Sequence, residues 1–441
     1  MTLPMILSLA IFVTCCVLIV YEKVNKIVIA FTGAVIFLVL IPILSQKYLI
    51  IGDFPALAFS DFIDWNVIFL LIGIMLMVGV LKKTGIFEYI AIYLAKLAKG
   101  NPKYILLLLF FITGVLSSFI DAVAVIIIMT QISILIAVEL RISPLPFVIT
   151  QLIASSLGGA GTLIGDPPNI MVGSTAGFTF MDFIKNLFLF AMFNLFVAAC
   201  ILYFIFRKDL VVSNARRARI MEFKEKELIH DKHLLVYSCF VFSIFLILLL
   251  LQDFFHEVVH LELEASTIAL FTAILMIMKV KKDDLEKFIS NEIEWGTILF
   301  FIFLFIMVGA LRYTGFIELV SLKILELTNG NFKLMSGAIV WVAGIGSAVF
   351  NNIPFTAAMI PMIENLSNNP EVLKPLWWAL ALGACFGGNG TLIATSTNLI
   401  AVDICKKSNF PISFMTFTKY GALITIINLI LSTVFILIVY Y

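Results

Sequence analysis

Hydrophobic and polar positions divide this chain into long apolar runs joined by short polar loops. Runs long enough to cross a bilayer as helices fall at about 4–21, 27–44, 65–81, 146–165, 183–206, 234–251, 265–279, 295–311, 376–395 and 417–440. Two further apolar stretches, about 104–138 and 334–363, are too long for one crossing. Polar residues interrupt each of them, at Ser117-Ser118-Phe119-Ile120-Asp121 and at Asn351-Asn352-Ile353-Pro354. Each is therefore either two crossings or a re-entrant hairpin with a polar tip. The pattern predicts an all-α polytopic membrane protein.

Composition agrees. Of 441 residues, 62% are hydrophobic and 13% charged, which no soluble domain of this size approaches. A net charge of +1 gives no reason to expect a nucleic-acid partner. The six cysteines (Cys15, Cys16, Cys200, Cys239, Cys385 and Cys405) have no ligand-like spacing and read as small core residues. The first run lacks a basic leader and a cleavage signal, so it reads as a retained span. The 42 phenylalanines are scattered through the runs, as lipid-facing and helix-packing residues are.

Charge sets an orientation. With the N-terminus outside, the cytoplasmic loops hold Lys23 and Lys26, the 82–103 cluster, Arg141, the 207–232 run, the 279–287 run, and Lys406, Lys407 and Lys419. Of the 29 lysines and arginines, the outer loops keep Lys47, Lys185, Arg312, Lys323, Lys333 and Lys374. This positive-inside bias places both termini outside a cell (inner or plasma) membrane. The 207–233 segment reads as a cytoplasmic linker between a first repeat (1–206) and a second (234–441).

The repeat is visible in register. Trp65 aligns with Trp295, Met77-Val78-Gly79 with Met307-Val308-Gly309, Thr84-Gly85 with Thr314-Gly315, and Gly100-Asn101 with Gly330-Asn331, all at a step of 230. The same step sets Asp121 against Asn351. One residue then drops out, and Gly158-Gly159-Ala160-Gly161-Thr162-Leu163-Ile164-Gly165-Asp166-Pro167-Pro168-Asn169 aligns at 229 with the stretch from Gly387 to Asn398. Five crossings plus one interrupted stretch per half is an odd count, so the second half enters the membrane inverted. Inverted repeats with paired broken helices are the architecture of secondary transporters, with the site between the repeats.

The chemistry lies in these motifs. Prolines at 167 and 168 break a helix, and freed backbone groups at membrane depth need protein or a polar cavity to satisfy them. Asp121 and Asp166 are acids in apolar sequence, costly unless paired, hydrated or protonated, and so candidates for ion or proton binding. Asn169, Asn351, Asn352, Asn389 and Asn398, with Thr162, Thr391, Thr395, Ser396 and Thr397, offer neutral oxygens suited to a monovalent cation. Half-helix N-termini would favour an anion. His256-Glu257-Val258-Val259-His260 spells a zinc-hydrolase motif, but no third ligand is evident and the other half has no counterpart. An aspartyl intramembrane protease would need glycine at Leu163 and leaves the second motif unexplained. No phosphate-binding loop is present, so ATP-driven transport by this chain is not expected.

These motifs resemble the ion transporter superfamily, most nearly the P-protein-like permeases, whose relatives include arsenite permeases, citrate-type carriers and divalent anion–sodium symporters. The resemblance covers nearly the whole chain. It implies a homodimer with a scaffold part and an elevator-type transport part. Each repeat would supply a re-entrant hairpin (about 104–138 and 334–363) and a broken helix (about 146–177 and 376–403). The tips at Asp121 and Asn351-Asn352 and the unwound segments 161–169 and 390–398, which include Gly165 and Pro167, would enclose the site, with Thr356 just beyond the second tip. Na⁺ would bind near Asp121, Asn169, Asn352 and Asn398, and no further cofactor is implied. Two departures stand out: Ala122 where relatives commonly carry Asn, and Asp166 where the symporters commonly carry Thr. An acid there fits proton linkage as well as Na⁺. The expected activity is secondary transport of a small anion coupled to Na⁺ or H⁺, and the alternatives are Na⁺/H⁺ antiport and arsenite efflux.

Overall fold

The computed structural model describes residues 2–21, 24–48, 53–261 and 263–441. Lys23 lies outside them, as do the side chains of Lys47 and Lys282. Every regular element among the described residues is helical. Among the described residues, ten helices are long and apolar enough to cross a membrane. The stretch expected to cross at 265–279 is a helix of only 13 residues, Ala265–Ile277, about 20 Å long.

The two interrupted stretches each form two helical arms. Pro102–Phe119 gives way at Ile120, in extended conformation, and Asp121, and Ala122–Leu140 then begins with Asp121 as its cap, accepting from the Ala124 N–H at 3.1 Å. Phe332–Phe350 breaks at Asn351, whose φ of +75° reverses the chain. Its side chain caps Asn352–Glu364 by accepting from the Ile353 N–H at 3.2 Å. Asparagine tolerates positive φ better than a branched residue would. Both arms of the first pair return to one face of the molecule. There Gly100 abuts the Arg217 carbonyl and the linker helix Asn214–Met221 packs on Ala122–Leu140. Both are hairpins.

The broken helices follow. Leu145–Gly159 stops in the glycine stretch and Pro167–Ala176 resumes after it, with both prolines at first-turn positions where no N–H is missed. Pro370–Gly387 stops likewise, and Ser396–Lys407 resumes behind the extended Thr395. Each break crosses its own hairpin at a glycine pair. A Cβ on Gly158 would lie 1.9 Å from the Gly114 carbonyl oxygen, and one on Gly387 would lie 2.4 Å from that of Gly344.

Packing between the halves is reciprocal. Lys26–Tyr48 lies on Trp295–Tyr313, as Ala265–Ile277 lies on Trp65–Lys83. Phe62 fills the space over Gly309, and Glu292, one repeat step on, fills that over Gly79. Each half thus meets the other through positions that the repeat step makes equivalent. The 207–233 linker docks at one end of the molecule. The His230 N–H donates to the Thr84 carbonyl at 3.1 Å, and the Lys96 ammonium reaches the Phe223 carbonyl at 3.0 Å and Glu225 at 2.7 Å.

Candidate functional site

Both loops that interrupt the broken helices are held open in the same way. Asn169 donates from its amide to the Gly159 and Thr162 carbonyls at 3.1 and 2.9 Å. Asn398 does the same to Gly388 and Thr391 at 3.1 and 3.2 Å. Thr162 donates its hydroxyl to the Ser118 carbonyl near the first tip, and Thr391 donates to Ala348 near the second. Backbone acceptors freed by the break are thus satisfied by side chains inside the protein. Gly165 is a contact position, because a Cβ there would meet the Gly159 and Ser117 carbonyl oxygens at 2.5 and 2.8 Å.

The tips and loops enclose a cavity of about 50 Å³. Of the residues expected from sequence, Asp121, Asp166, Pro167, Asn352, Thr395, Ser396 and Thr397 line it. Thr162, Asn169, Thr391 and Asn398 brace the loops behind it, and Thr356 donates back to the Asn352 carbonyl at 2.7 Å within its own helix. Asn351 forms the turn of its tip. The two halves meet across the cavity, where the Asn352 amide donates to the Asp166 carboxylate at 3.4 Å. Behind it the Cys385 thiol points to the Asn169 amide oxygen at 3.4 Å, and the Asn389 amide donates to the Ile153 carbonyl at 3.3 Å.

Four helices begin at this cavity: Ala122–Leu140, Asn352–Glu364, Pro167–Ala176 and Ser396–Lys407. Each N-terminus carries roughly half a positive charge. Asp121 and Asp166 set two carboxyl groups among them. Sequence reading missed the opposite wall, which comes from Leu71, Met75, Glu294 and Thr297. Glu294 accepts from the Thr297 hydroxyl at 3.0 Å and lies within electrostatic reach of Asp121. The Lys26 ammonium donates to the Ser396 hydroxyl at 2.6 Å. The repeat held a usable signal, since the step of 230 pairs Glu294 with Asp64, each directly before a matched tryptophan.

The second half keeps spare oxygens. Ser347 Oγ and Asn398 Oδ1 are buried with no hydrogen-bond partner among the described residues. Their first-half counterparts are occupied, Ser117 with the Ser155 hydroxyl at 2.8 Å and Asn169 with Cys385. Elsewhere, His260 lies beyond helix Gln252–Val259 with φ +55°, so the two histidines of the zinc-like motif do not share a continuous helical face.

A helical membrane body with paired hairpins and paired broken helices around one polar cavity is the build of a transporter. Residues 16–383 match the citrate transporter family, and the chain belongs to it. It is 37% identical to an uncharacterized transporter of Mycobacterium bovis over 99% of both chains. It is 30% identical to the P protein of Mus musculus, matching 92% of this chain and 56% of that one. The solved structure of the YdaH transporter of Alcanivorax borkumensis shares the fold, with a TM-score of 0.57 at 12% identity, covering 99% of this chain and 98% of that one. The protein is a multi-pass membrane transporter.

Proposed function

We propose that this protein is a secondary active transporter that moves a small anion together with Na⁺ or H⁺ by alternating access. The observation that carries the reading is the meeting of four helix N-termini with Asp121, Asp166 and Glu294 at one cavity. With the acids ionised, the carboxylates offset the helix dipoles and repel an anion. Once Na⁺ or protons neutralise them, the four N-termini are left to attract it. Binding of the anion then requires the cation, which is what coupling means. The unpartnered Ser347 Oγ and Asn398 Oδ1 are oxygens a monovalent cation could take up. A cavity of about 50 Å³ holds an ion and a water or two, so a larger anion requires the tips to part.

The three carboxylates also favour a second reading, Na⁺/H⁺ antiport without an anion. Both readings place the linker face in the cytoplasm, where the basic loops collect, with the termini outside a cell membrane and the repeats inverted. We propose a homodimer by family resemblance. Purified protein in proteoliposomes, given Na⁺ or pH gradients with and without a panel of small anions, tests the assignment. Anion-dependent charge movement supports symport, and internal pH changes driven by Na⁺ alone assign the antiporter. No gradient-driven flux of either kind removes both.

A further inference from the structure

We infer that the first half carries a buried proton path from the linker face to the cavity acids, built of Thr113, Ser117, Thr130, Ser133, Gln151 and Ser155 and bridged by water. The inference rests on the transport reading above and commits its coupling ion to H⁺. The path ends at Ser155, which lines the cavity and shares a hydrogen bond of 2.8 Å with Ser117. Pro102–Phe119 and Leu145–Gly159 run side by side in one direction here. A Cβ on Gly114 would lie 3.3 Å from the Ala154 carbonyl oxygen, and Ser118, four residues on, donates to the Gly158 carbonyl at 2.8 Å. One turn back from Ser117 and Ser155 therefore sets Thr113 beside Gln151. Thr113 is fully buried and Gln151 is 1% exposed. Thr113 Oγ1, Gln151 Nε2 and Gln151 Oε1 have no hydrogen-bond partner among the described residues. The returning arm Ala122–Leu140 packs on Leu145–Gly159 and adds Thr130 and Ser133, both fully buried with hydroxyls equally unpartnered. Thr113 lies eight residues from Asp121, Thr130 nine and Ser133 twelve, so all three sit roughly 12–18 Å from the tip at helical rise. On these helices no titratable residue interrupts the path: Lys103, Tyr104 and Glu139 stand at the linker end and Asp121 at the tip.

The repeat is an internal control. At the step of 230, Thr113, Thr130 and Ser133 map onto Ala343, Ile360 and Ile363. At 229, a step that Pro146 and Pro375 also keep, Gln151 and Ser155 map onto Leu380 and Ala384. Ser117 alone keeps its counterpart, Ser347. The same frame thus packs with apolar residues at the other five positions, so these polar groups are not what holds the helices together. Burying them unpartnered costs stability, and polar side chains at membrane depth mark ion and proton routes. Groups of this kind bind internal water, which needs two to four polar partners. A proton entering from the linker face passes between waters and hydroxyls, each O–H bond that forms matched by one that breaks, and ends on a cavity carboxylate. The hydroxyls then turn back. The Gln151 amide exchanges no proton; it orients water by donating from Nε2 and accepting at Oε1.

The second half supplies the test variant, Thr113→Ala with Gln151→Leu. Wild type and variant are reconstituted in proteoliposomes with a trapped pH dye, and Na⁺ or pH gradients are imposed with a panel of small anions. We expect gradient-driven proton movement in the wild type and a rate about tenfold lower in the variant, falling further in D₂O. A path sets rates and not coupling, so the ratio of gradients at which proton movement stops should be unchanged, as should the melting temperature. Thr113→Val, which keeps the side-chain shape, should slow proton movement less, and it carries the test if the double variant melts early. Wild-type rates in the folded variants would overturn the path and leave alternating access standing. Wild-type flux driven by Na⁺ with no proton movement would overturn the path and keep the Na⁺ form of the reading. A shifted stopping ratio would put these residues in the binding site and overturn the path. No gradient-driven flux in the wild type removes the transport reading, and the path with it.

Discussion

The two halves build the same loop from different chemistry. In each, an asparagine amide binds two loop carbonyls, a threonine hydroxyl binds the hairpin behind it, and a glycine pair lets two helices cross backbone to backbone. At the cavity the likeness ends. The first half presents Asp121 and Asp166 where the second presents Asn351 and Thr395. Ser117 and Asn169 have their oxygens paired, whereas their second-half counterparts leave Ser347 Oγ and Asn398 Oδ1 open. Duplication preserved the frame because backbone geometry tolerates little change. The side chains at the tips and loops diverged, so their acids belong to the first half and the spare neutral oxygens to the second, while Glu294 of the second half adds a carboxylate from the wall.

The largest expected effect tests whether that division of charge matters. Asn caps a helix as well as Asp does, so Asp121→Asn should keep the tip folded. It should still lower coupled flux by about 100-fold, the equivalent of about 2.7 kcal/mol. Asn351→Asp, which retains the cap and tolerates the positive φ, should cost less. The double swap should not restore flux in proteoliposomes, and recovery there would mean that only total charge counts.

The crossings come next and should behave alike. Ala at Gly158 or at Gly387 puts a Cβ 1.9 or 2.4 Å from a facing backbone oxygen, and neither backbone can yield cheaply. Overpacking of this kind costs about 1–3 kcal/mol or more, so both variants should melt earlier in detergent, Gly158→Ala the more so. A silent Gly387→Ala would show that the second crossing is looser than the first.

The braces separate frame from cargo. Asn169→Ala and Asn398→Ala each remove two hydrogen bonds to loop carbonyls, about 1 kcal/mol apiece, and should lower thermal stability by similar amounts. Asn398→Ala should in addition abolish coupled flux, because its free oxygen is offered as a cation ligand. Equal flux in the two variants would return Asn398 to a purely structural role.

How much of this was legible follows the same division. The register of Gly, Trp and Asn landmarks exposed the repeat, and Pro167 and Pro168 exposed a break, because glycine crossings and proline starts are dictated by local backbone rules. Helix ends were less so: the run predicted to cross at 146–165 stops at Gly159, since hydropathy continues through Leu163 and Ile164 after the helix has ended. In the sequence Glu294 is one acid in a polar loop, and Leu71 and Met75 are ordinary span residues. Nothing local distinguishes them. They line the cavity only because Trp65–Lys83 and Trp295–Tyr313 are brought against the tips by tertiary packing.

The smallest effect concerns what covers each half. The turns at Gly100 and Gly330 share φ +67°, yet Gly100 lies under the linker at Arg217 while nothing approaches a Cβ at Gly330 within 4 Å. The first half alone is clamped, through Lys96 and the part-exposed Glu225 carboxylate. The Lys96 hydrogen bond holds the Glu225 carboxyl below its usual value of 4.5. A depressed carboxyl stabilises the docked linker above its unfolded pKa, and that contribution is lost as pH falls through the lower docked value. Hydrogen exchange across 207–233 should therefore quicken slightly below about pH 4.5, while the open turn at Gly330 stays unchanged. Glu225→Gln should flatten the linker's pH dependence. The effect is small because exposed ion pairs are worth little, and a linker whose exchange ignores pH in the unmodified chain would mean that the backbone contacts at Thr84 and Phe223 hold it alone.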